Sequence, residues 1–157
     1  MGKIVAHERS SGDMRVADYM MSFLVERGID RIFLLTGNGA MYMNDAIAQK
    51  PEIKYYCARN EAAAPMMAES YARLTGKLGV VCVTSGPGAT NAVSGLAEAW
   101  VDSAPIMLIS GQAPTDQMPR DNVARGMRSF GTAGIDIVPV VRSLTKYAVT
   151  VTDPESI

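Results

Sequence analysis

The chain has 157 residues, 48% of them hydrophobic, which allows one domain with a real core but not two domains of ordinary size. Its 15 basic and 16 acidic residues give a net charge of −1, and no basic run could follow a phosphate backbone, which argues against nucleic acid as a partner. Residues 1–14 are polar and no later run approaches the length of a membrane span, so we expect a soluble, cytoplasmic protein without a membrane partner.

The residues that most often carry metal or nucleophilic chemistry are scarce. Cys57 and Cys82 both lie in apolar, strand-like runs, where a free cysteine usually behaves as a small buried hydrophobe, and their spacing indicates neither a metal site nor a redox pair. The only histidine, His7, lies in the polar N-terminal tail. We therefore expect no metal ligands in this chain and no chemistry that needs a histidine base within the domain.

The first half of the chain alternates helices with strands. A helix is predicted from the N-cap residue Asp13 to Gly28, which can adopt the left-handed conformation that ends helices. A strand at 31–35 then runs into Thr36-Gly37-Asn38-Gly39, a turn of residues that tolerate positive φ. A second helix and a second strand follow at 40–49 and 53–58.

The second half continues the alternation. A helix ends at Gly76, and the continuously apolar run 78–84 predicts a strand covered on both faces, hence central in the sheet. After the turn 85–88, a helix is predicted because apolar residues recur at helical spacing and form one stripe. The members of this stripe are Val93, Leu96, Ala97, Trp100 and Val101. The last predicted elements are a strand at 105–110, a long loop at 111–126, a helix at 135–142 and a strand at 147–151.

This order predicts a doubly wound α/β fold, with a mainly parallel sheet and helices on both faces. We divide the chain into a flexible tail at 1–13, one domain at 14–152 and a short terminal segment at 153–157. In that segment Asp153, Pro154 and Glu155 have the pattern of a helix start. Because the chain stops where this helix would begin, we expect residues 153–157 to be the start of a truncated linker or helix. The chain would then be a fragment, a single domain or a cleaved form of a longer protein.

Glu61 is the most informative polar residue, because it lies between a predicted strand and a predicted helix, where α/β proteins keep their chemistry. The helix behind it, residues 62–68, is small and apolar, so we expect the carboxylate to be poorly solvated. A carboxyl group that shares a proton can act as an acid. The alternative is that Glu61 only stabilises the positive end of the helix dipole, and this window alone favours that alternative.

Other motifs are incomplete. The run 37–42 lacks the third glycine of a dinucleotide fingerprint, and Gly76-Lys77 lacks the glycine spacing of a P-loop. Ser85 lacks the flanks of a nucleophile elbow and has no histidine in the domain. Two glycine turns and Glu61 remain, all at the carboxyl ends of predicted strands and so on one edge of the sheet.

Five stretches carry motifs that occur together in one family. They are Asn60–Ala64, Ser70–Lys77, Thr84–Asn91, Asp102–Pro105 and Ser110–Gln112. In this order they strongly resemble the pyrimidine-binding domain that opens thiamine-diphosphate-dependent enzymes of the acetolactate synthase type, over about residues 14–157. Several independent motifs make the resemblance specific, and it reverses the preferred role of Glu61.

The resemblance implies that Glu61 hydrogen-bonds N1′ of the aminopyrimidine of thiamine diphosphate and favours its imino tautomer, which then takes the proton from C2 of the thiazolium. It implies that Gln112 lies near the substrate. It also implies that Pro87 and Asn91 help to seat the pyrimidine ring, and that the loop at Thr36 and Gly37 approaches it. The implied chemistry is decarboxylation of pyruvate or another 2-keto acid, with transfer of the two-carbon unit.

Two departures from the family pattern concern the substrate. Pro-Gly-Gly is replaced by Thr36-Gly37-Asn38, and Phe-Gln-Glu by Phe130-Gly131-Thr132. The paired histidines of the pyruvate decarboxylase branch are absent after Gln112, which favours a synthase or transferase over a simple decarboxylase.

The chain also lacks the family's Gly-Asp-Gly and following Asn, which anchor Mg²⁺ and the diphosphate in a separate domain. The resemblance therefore implies half a site, inactive alone, that is completed by the diphosphate-binding domain of the same or a neighbouring subunit in a homodimer or tetramer. Two alternatives remain. One is a separately encoded small subunit of a two-chain 2-keto acid decarboxylase, and the other is a non-catalytic binding module, against which the retention of Glu61, Pro87 and Asn91 argues.

Overall fold

The computed structural model describes residues 14–118 and 125–157. At its centre is a four-stranded sheet with the strand order β2-β1-β3-β4. The strands are β1 (Arg31–Leu34), β2 (Lys54–Cys57), β3 (Gly79–Val83) and β4 (Ile106–Ser110). All three pairings are parallel, so the carboxyl ends of the four strands meet at one edge. The predicted α/β class and the central place of the third strand are confirmed.

Helices cover both faces of the sheet. They are α1 (Val16–Glu26), α2 (Met41–Ala48), α3 (Ala63–Thr75), α4 (Pro87–Asn91), α5 (Val93–Val101) and α6 (Ile137–Val141). Because successive strand residues point to opposite faces, the two central strands supply two separate cores. The residues that pack with α1 and α2 are Ile32, Leu34, Val80 and Cys82. The residues that pack with α3 and α4 are Phe33, Val81 and Val83.

A polar cluster at the amino edge of the sheet fixes α3 to β1. The Asp30 carboxylate accepts hydrogen bonds from Tyr71 Oη at 2.9 Å and from Arg31 Nη1 at 2.6 Å. Burial alone raises the pKa of Asp30, but these hydrogen bonds outweigh it and lower the pKa below its ordinary value. The Tyr71 ring also packs on Phe33 of β1, at 5.8 Å between centroids. The C-terminal half of α3 is therefore held against β1 by both a hydrogen bond and a ring contact.

Two predictions about apolar segments are wrong. Residues 147–151 pair with no strand in the described part of the chain, and Tyr147 is 79% exposed. In α5 the expected stripe is only partly buried, since Trp100 is 44% exposed and Val101 79%. Its buried face contains small residues instead, Gly95 and Ala99, together with Leu96. The reason is that α5 packs closely on α3, and a close helix contact selects small side chains rather than large apolar ones.

The ends of the described segments also bear on the sequence predictions. The N-cap residue of α1 is Arg15, and Asp13 lies outside the described residues, as do the predicted tail 1–13 and part of the loop 111–126. Asp153 caps a short 3-10 turn, accepting a hydrogen bond from the Glu155 N–H at 3.0 Å. No helix within 14–118 or 125–157 combines the length and apolar character needed to cross a membrane.

The two cysteines differ in exposure, contrary to the expectation that both are buried. Cys57 is exposed at the end of the edge strand β2, whereas Cys82 is buried in β3. Burial raises the pKa of the Cys82 thiol to about 12, because the apolar core disfavours the thiolate.

We predict that a disulfide reagent such as 5,5′-dithiobis(2-nitrobenzoic acid) at about pH 8 titrates one thiol of the folded chain at once and the second only after unfolding, because only the exposed thiol supplies accessible thiolate. Cys57→Ser should abolish the fast reaction, and the matched variant Cys82→Ser should keep it. Two fast thiols in the folded protein would contradict the burial of β3.

Candidate functional site

Thr84, the residue after β3, is the contact point between two loops at the carboxyl edge of the sheet. Its Oγ1 accepts a hydrogen bond from the Gly39 N–H at 3.0 Å. A Cβ added at Gly37 would lie 2.5 Å from Thr84 Cβ, and one added at Gly88 would lie 2.5 Å from Thr84 Cγ2. The backbones of both loops can approach Thr84 this closely only because glycine has no side chain.

The two loops use their glycines differently. The residues of the turn 36–39 tolerate positive φ, but Gly37 is extended, with φ −173°. Positive φ occurs in the second loop, at Gly86, with φ +59°. The glycine at position 37 is therefore required by the close approach to Thr84 and not by the backbone conformation.

Glu61 lies just before α3, whose N-cap residue is Ala62. Its Oε2 accepts a hydrogen bond from Asn91 Nδ2 at 2.8 Å. The Asn91 amide also lies 3.3 Å from Asn60 Oδ1, which in turn accepts the Ala62 N–H at 2.9 Å. Asn60, and not Glu61, thus binds the exposed backbone donor at the start of α3.

The surroundings of the Glu61 carboxylate are more polar than predicted. Glu61 is half-buried, and its hydrogen-bond partner Asn91 is exposed. The apolar residues of α3 that were expected to surround it, Ala64 and Ala68, pack instead into the core beneath the sheet face. The expectation of poorly solvated surroundings is therefore not met within this chain.

Gly88 lies close to the second oxygen of this carboxylate. A Cβ added at Gly88 would lie 3.4 Å from Glu61 Oε1, but the same position is only 2.5 Å from Thr84 Cγ2, so the Thr84 methyl group fills the volume in front of Gly88. Gly88 belongs to the short helix α4, which begins at Pro87 and ends at Asn91. One helical turn therefore supplies a proline, a side-chain-free position and an amide donor around Glu61.

Two other predicted residues, Thr36 and Gly37, lie in the loop after β1. Together with Asn38, Met41 and Asn44 they line a groove of about 330 Å³. Gly37 and Gly88 both approach Thr84 closely, so Thr84 joins the loop that lines this groove to the helix that contains Asn91.

Gln112 is not brought together with Glu61. Its Nε2 donates to the Ile135 carbonyl at 3.0 Å, and its Oε1 accepts the Ala113 N–H at 2.8 Å. It lines a different cavity, of about 260 Å³, together with Asp136 and Arg142. In this structure the Gln112 side chain therefore joins the end of β4 to the segment that precedes α6.

Three polar residues of this edge were given no role from the sequence, Asn60, Thr84 and Asn44. Asn60 and Thr84 lie inside motif stretches and close to the carboxyl ends of predicted strands, and this signal could have pointed to them. Asn44 lies within a helix, where the sequence gives it no distinguishing pattern. In the described residues, no group of three or more His, Cys, Asp or Glu side chains could hold a metal ion.

Comparisons with known proteins agree with the motif analysis. The family model described as "Thiamine pyrophosphate enzyme, N-terminal TPP binding domain" matches residues 14–131. The chloroplastic acetolactate synthase of Arabidopsis thaliana is 37% identical over 144 residues, which cover 90% of this chain and 20% of that protein. The acetolactate synthase large subunit of Lactococcus lactis subsp. lactis is 38% identical over 147 residues, covering 94% and 23%. The isozyme 3 large subunit of Escherichia coli is 36% identical over 141 residues, covering 90% and 23%.

The resemblance identified from the five motif stretches is thereby confirmed. The chain spans between 20% and 23% of the length of these three relatives. The similarity thus concerns one domain of proteins that are several times longer.

The contact between α5 and the start of α3 generates a prediction about the placement of Glu61. A Cβ added at Gly95 would lie 2.6 Å from the Ala62 carbonyl oxygen and 3.1 Å from the Met66 N, both backbone atoms. Alanine should gain about 1 kcal/mol over glycine from helix propensity. We expect the clash to outweigh this gain, so that Gly95→Ala lowers the free energy of unfolding by about 1–3 kcal/mol.

Thermal unfolding followed by circular dichroism measures this change. Ser94→Ala, at the exposed neighbouring position of the same helix, is the matched control and should unfold close to the wild-type temperature. A higher unfolding temperature for Gly95→Ala would show that α5 does not press on the backbone next to Glu61.

Proposed function

Because the chain belongs to the family of N-terminal TPP-binding domains of thiamine pyrophosphate enzymes, we propose that it is the pyrimidine-binding half of an acetolactate synthase-like enzyme acting on 2-keto acids. The observation that carries the proposal is the Glu61 carboxylate, held by Asn91 at one oxygen and bordered by the side-chain-free position Gly88 at the other. We assign residues 14–152 to this domain.

The residues around Glu61 fit the aminopyrimidine of thiamine diphosphate. A flat ring with a basic nitrogen needs a carboxyl oxygen that can bind it, and Glu61 Oε1 can do so because Asn91 donates to the other oxygen, Oε2. We assign Pro87 and Asn91 to seating the ring, and Thr36 and Gly37 to approaching it. When bound, thiamine diphosphate supplies the electron sink for cleaving the bond between the carboxyl and keto carbons of a 2-keto acid.

The part of Glu61 in this chemistry is to hold and share a proton at the ring nitrogen. A carboxyl group can do this because it exists as both donor and acceptor, whereas an amide cannot exchange its role in the same way. Asn91 is a positioning residue, since its donation to Oε2 restrains the carboxyl group and leaves Oε1 for the ring nitrogen. Gln112, which touches a separate cavity, would meet the substrate and not the pyrimidine ring.

Exposed apolar side chains support the proposal that further protein completes the site. Leu74 near the end of α3 is 87% exposed, and the neighbouring α5 exposes Trp100 and Val101. Large apolar side chains exposed on two helices that pack together are typical of a surface that another protein layer covers. We assign this layer to a diphosphate-binding domain, of the same or a neighbouring subunit in a homodimer or tetramer, which also holds Mg²⁺.

The proposal predicts that Glu61→Gln, made in a protein that carries both halves of the site, lowers kcat for acetolactate formation from pyruvate about 100- to 10,000-fold, because proton transfer contributes that much. The assay contains thiamine diphosphate and Mg²⁺. The amide can still accept the hydrogen bond from Asn91, so the unfolding temperature should change little.

Glu98→Gln removes a carboxylate from the exposed side of α5 and is the matched control, with turnover expected at the wild-type level. Unchanged turnover in Glu61→Gln would refute the assigned role. If turnover were lost equally in both variants, the loss could not be attributed to the proton on Glu61.

A further inference from the structure

The segment from Gly131 to Asp136, which we call the strap, directly precedes α6 and is given no role by the proposed function. Two of its residues have the left-handed backbone conformation, Gly131 with φ +75° and Ala133 with φ +55°. Glycine adopts this conformation readily, whereas alanine adopts it only where its surroundings impose it. The backbone of Ala133 therefore indicates that contacts elsewhere fix the strap.

The strap meets the turn from which α4 begins. A Cβ added at Gly86 would overlap the Ala133 carbonyl oxygen and would lie 2.8 Å from Ala133 Cβ. Gly86 is the N-cap residue of α4 and has φ +59°. Both the approach of Ala133 and the backbone conformation thus require glycine at position 86. The strap rests directly on the residue that sets the start of α4.

The helix α4 cannot fix its own position. It has five residues, Pro87–Asn91, and its N-cap residue provides no side-chain hydrogen bond. A helix this short is unstable alone, so tertiary contacts decide where it lies. The helix α6, which continues the strap, contacts α4, and its first residue Ile137 packs against the core cluster that contains Ala89 and Ala92. The strap and α6 therefore restrain α4 at its start and near its end.

One side chain anchors the strap to the sheet. Gln112, just after β4, donates from Nε2 to the Ile135 carbonyl at 3.0 Å, and its Oε1 accepts the Ala113 N–H at 2.8 Å. Both ends of its amide group are thus used within the chain. Because Ile135 is only two residues from Ala133, this anchor limits how far Ala133 can move away from Gly86.

We infer that Gln112 is a positioning residue for Glu61. By holding the strap against Gly86 it fixes α4, and through α4 it places the Asn91 amide that donates to Glu61. This role differs from a contact with substrate, because it operates before any ligand is bound. The placement of Asn91 follows from the packing alone, whereas its consequence for proton transfer at Glu61 rests on the proposed function.

Gln112→Glu tests the inference in the whole chain, without cofactor or substrate. The carboxylate keeps an acceptor for the Ala113 N–H but cannot donate to the Ile135 carbonyl. The Asn91 side-chain amide is followed by NMR in a ¹⁵N-labelled sample, where its signals are identified by their loss in Asn91→Asp. We expect its protons to exchange with water about threefold to tenfold faster in Gln112→Glu than in the wild type, as the weakening of one hydrogen bond provides.

Gln49→Glu makes the same change at an exposed position just after α2 and is the matched control, with Asn91 exchange expected at the wild-type rate. Ala133→Gly is a second variant that should keep the fold, because glycine adopts φ +55° without strain, and it should also accelerate the exchange. Unchanged exchange in Gln112→Glu would overturn the inference. If Gln112→Glu does not fold, unchanged exchange in Ala133→Gly would do so. Equal acceleration in Gln49→Glu would also overturn it, because the added charge would then be the cause.

These outcomes are distinguishable from those of the proposed function. Full turnover of Glu61→Gln in a protein with both halves of the site would refute the proposed function, while faster exchange in Gln112→Glu would still support the placement of Asn91. Unchanged exchange in Gln112→Glu, together with loss of turnover in Glu61→Gln, would refute only the positioning role of Gln112.

Discussion

The hydrogen bond from Asn91 to Glu61 is the interaction on which the account of this domain depends. It joins two strand–helix units that are 30 residues apart in sequence, one following β2 and the other following β3. The two residues meet because the strands are parallel and their carboxyl ends share an edge. This bond restrains the rotation of the carboxyl group and leaves Oε1 for a further contact.

Close packing around that bond sets its geometry. Gly88 and Gly37 allow two loops to reach Thr84, and Gly95 allows α5 to press on the backbone at the start of α3. At the opposite end of α3, the contact of Tyr71 with Asp30 fixes the helix to the amino edge of the sheet. The helix that follows Glu61 is thus restrained at both ends, which is how a single domain can preorganise a carboxyl group before any ligand arrives.

Much of the fold follows from local sequence patterns. The continuous apolar run that became β3 could only be a strand covered on both faces, and Gly76 ends α3 with positive φ as expected. The errors have tertiary causes. The buried face of α5 was predicted wrongly because its large apolar residues were expected to point into the core. The close contact with α3 instead selects small residues for the buried face. Residues 147–151 have the composition of a strand, but a strand also needs a neighbouring backbone, which sequence patterns do not supply.

The site was less predictable than the fold. Position alone left Glu61 with two roles, and only the motif context favoured the role at the cofactor. The contact with Asn91 could not be predicted from the sequence. The buried oxygen of Asn44, which has no hydrogen-bond partner among the described residues, could not be predicted at all, because the burial of one atom depends on tertiary packing. Glu61 is half-buried, so Asn91 orients a carboxyl group that is still reached by solvent.

The central claim is that Glu61 Oε1 binds the pyrimidine ring while Asn91 holds Oε2. The most direct measurement is an experimental structure of the protein with its diphosphate-binding half and thiamine diphosphate bound. The account predicts that Glu61 Oε1 lies within about 3 Å of the ring nitrogen N1′ and that the contact between Asn91 and Glu61 is retained. A pyrimidine ring bound away from Glu61, with the carboxyl group contacting only Asn91, would contradict it.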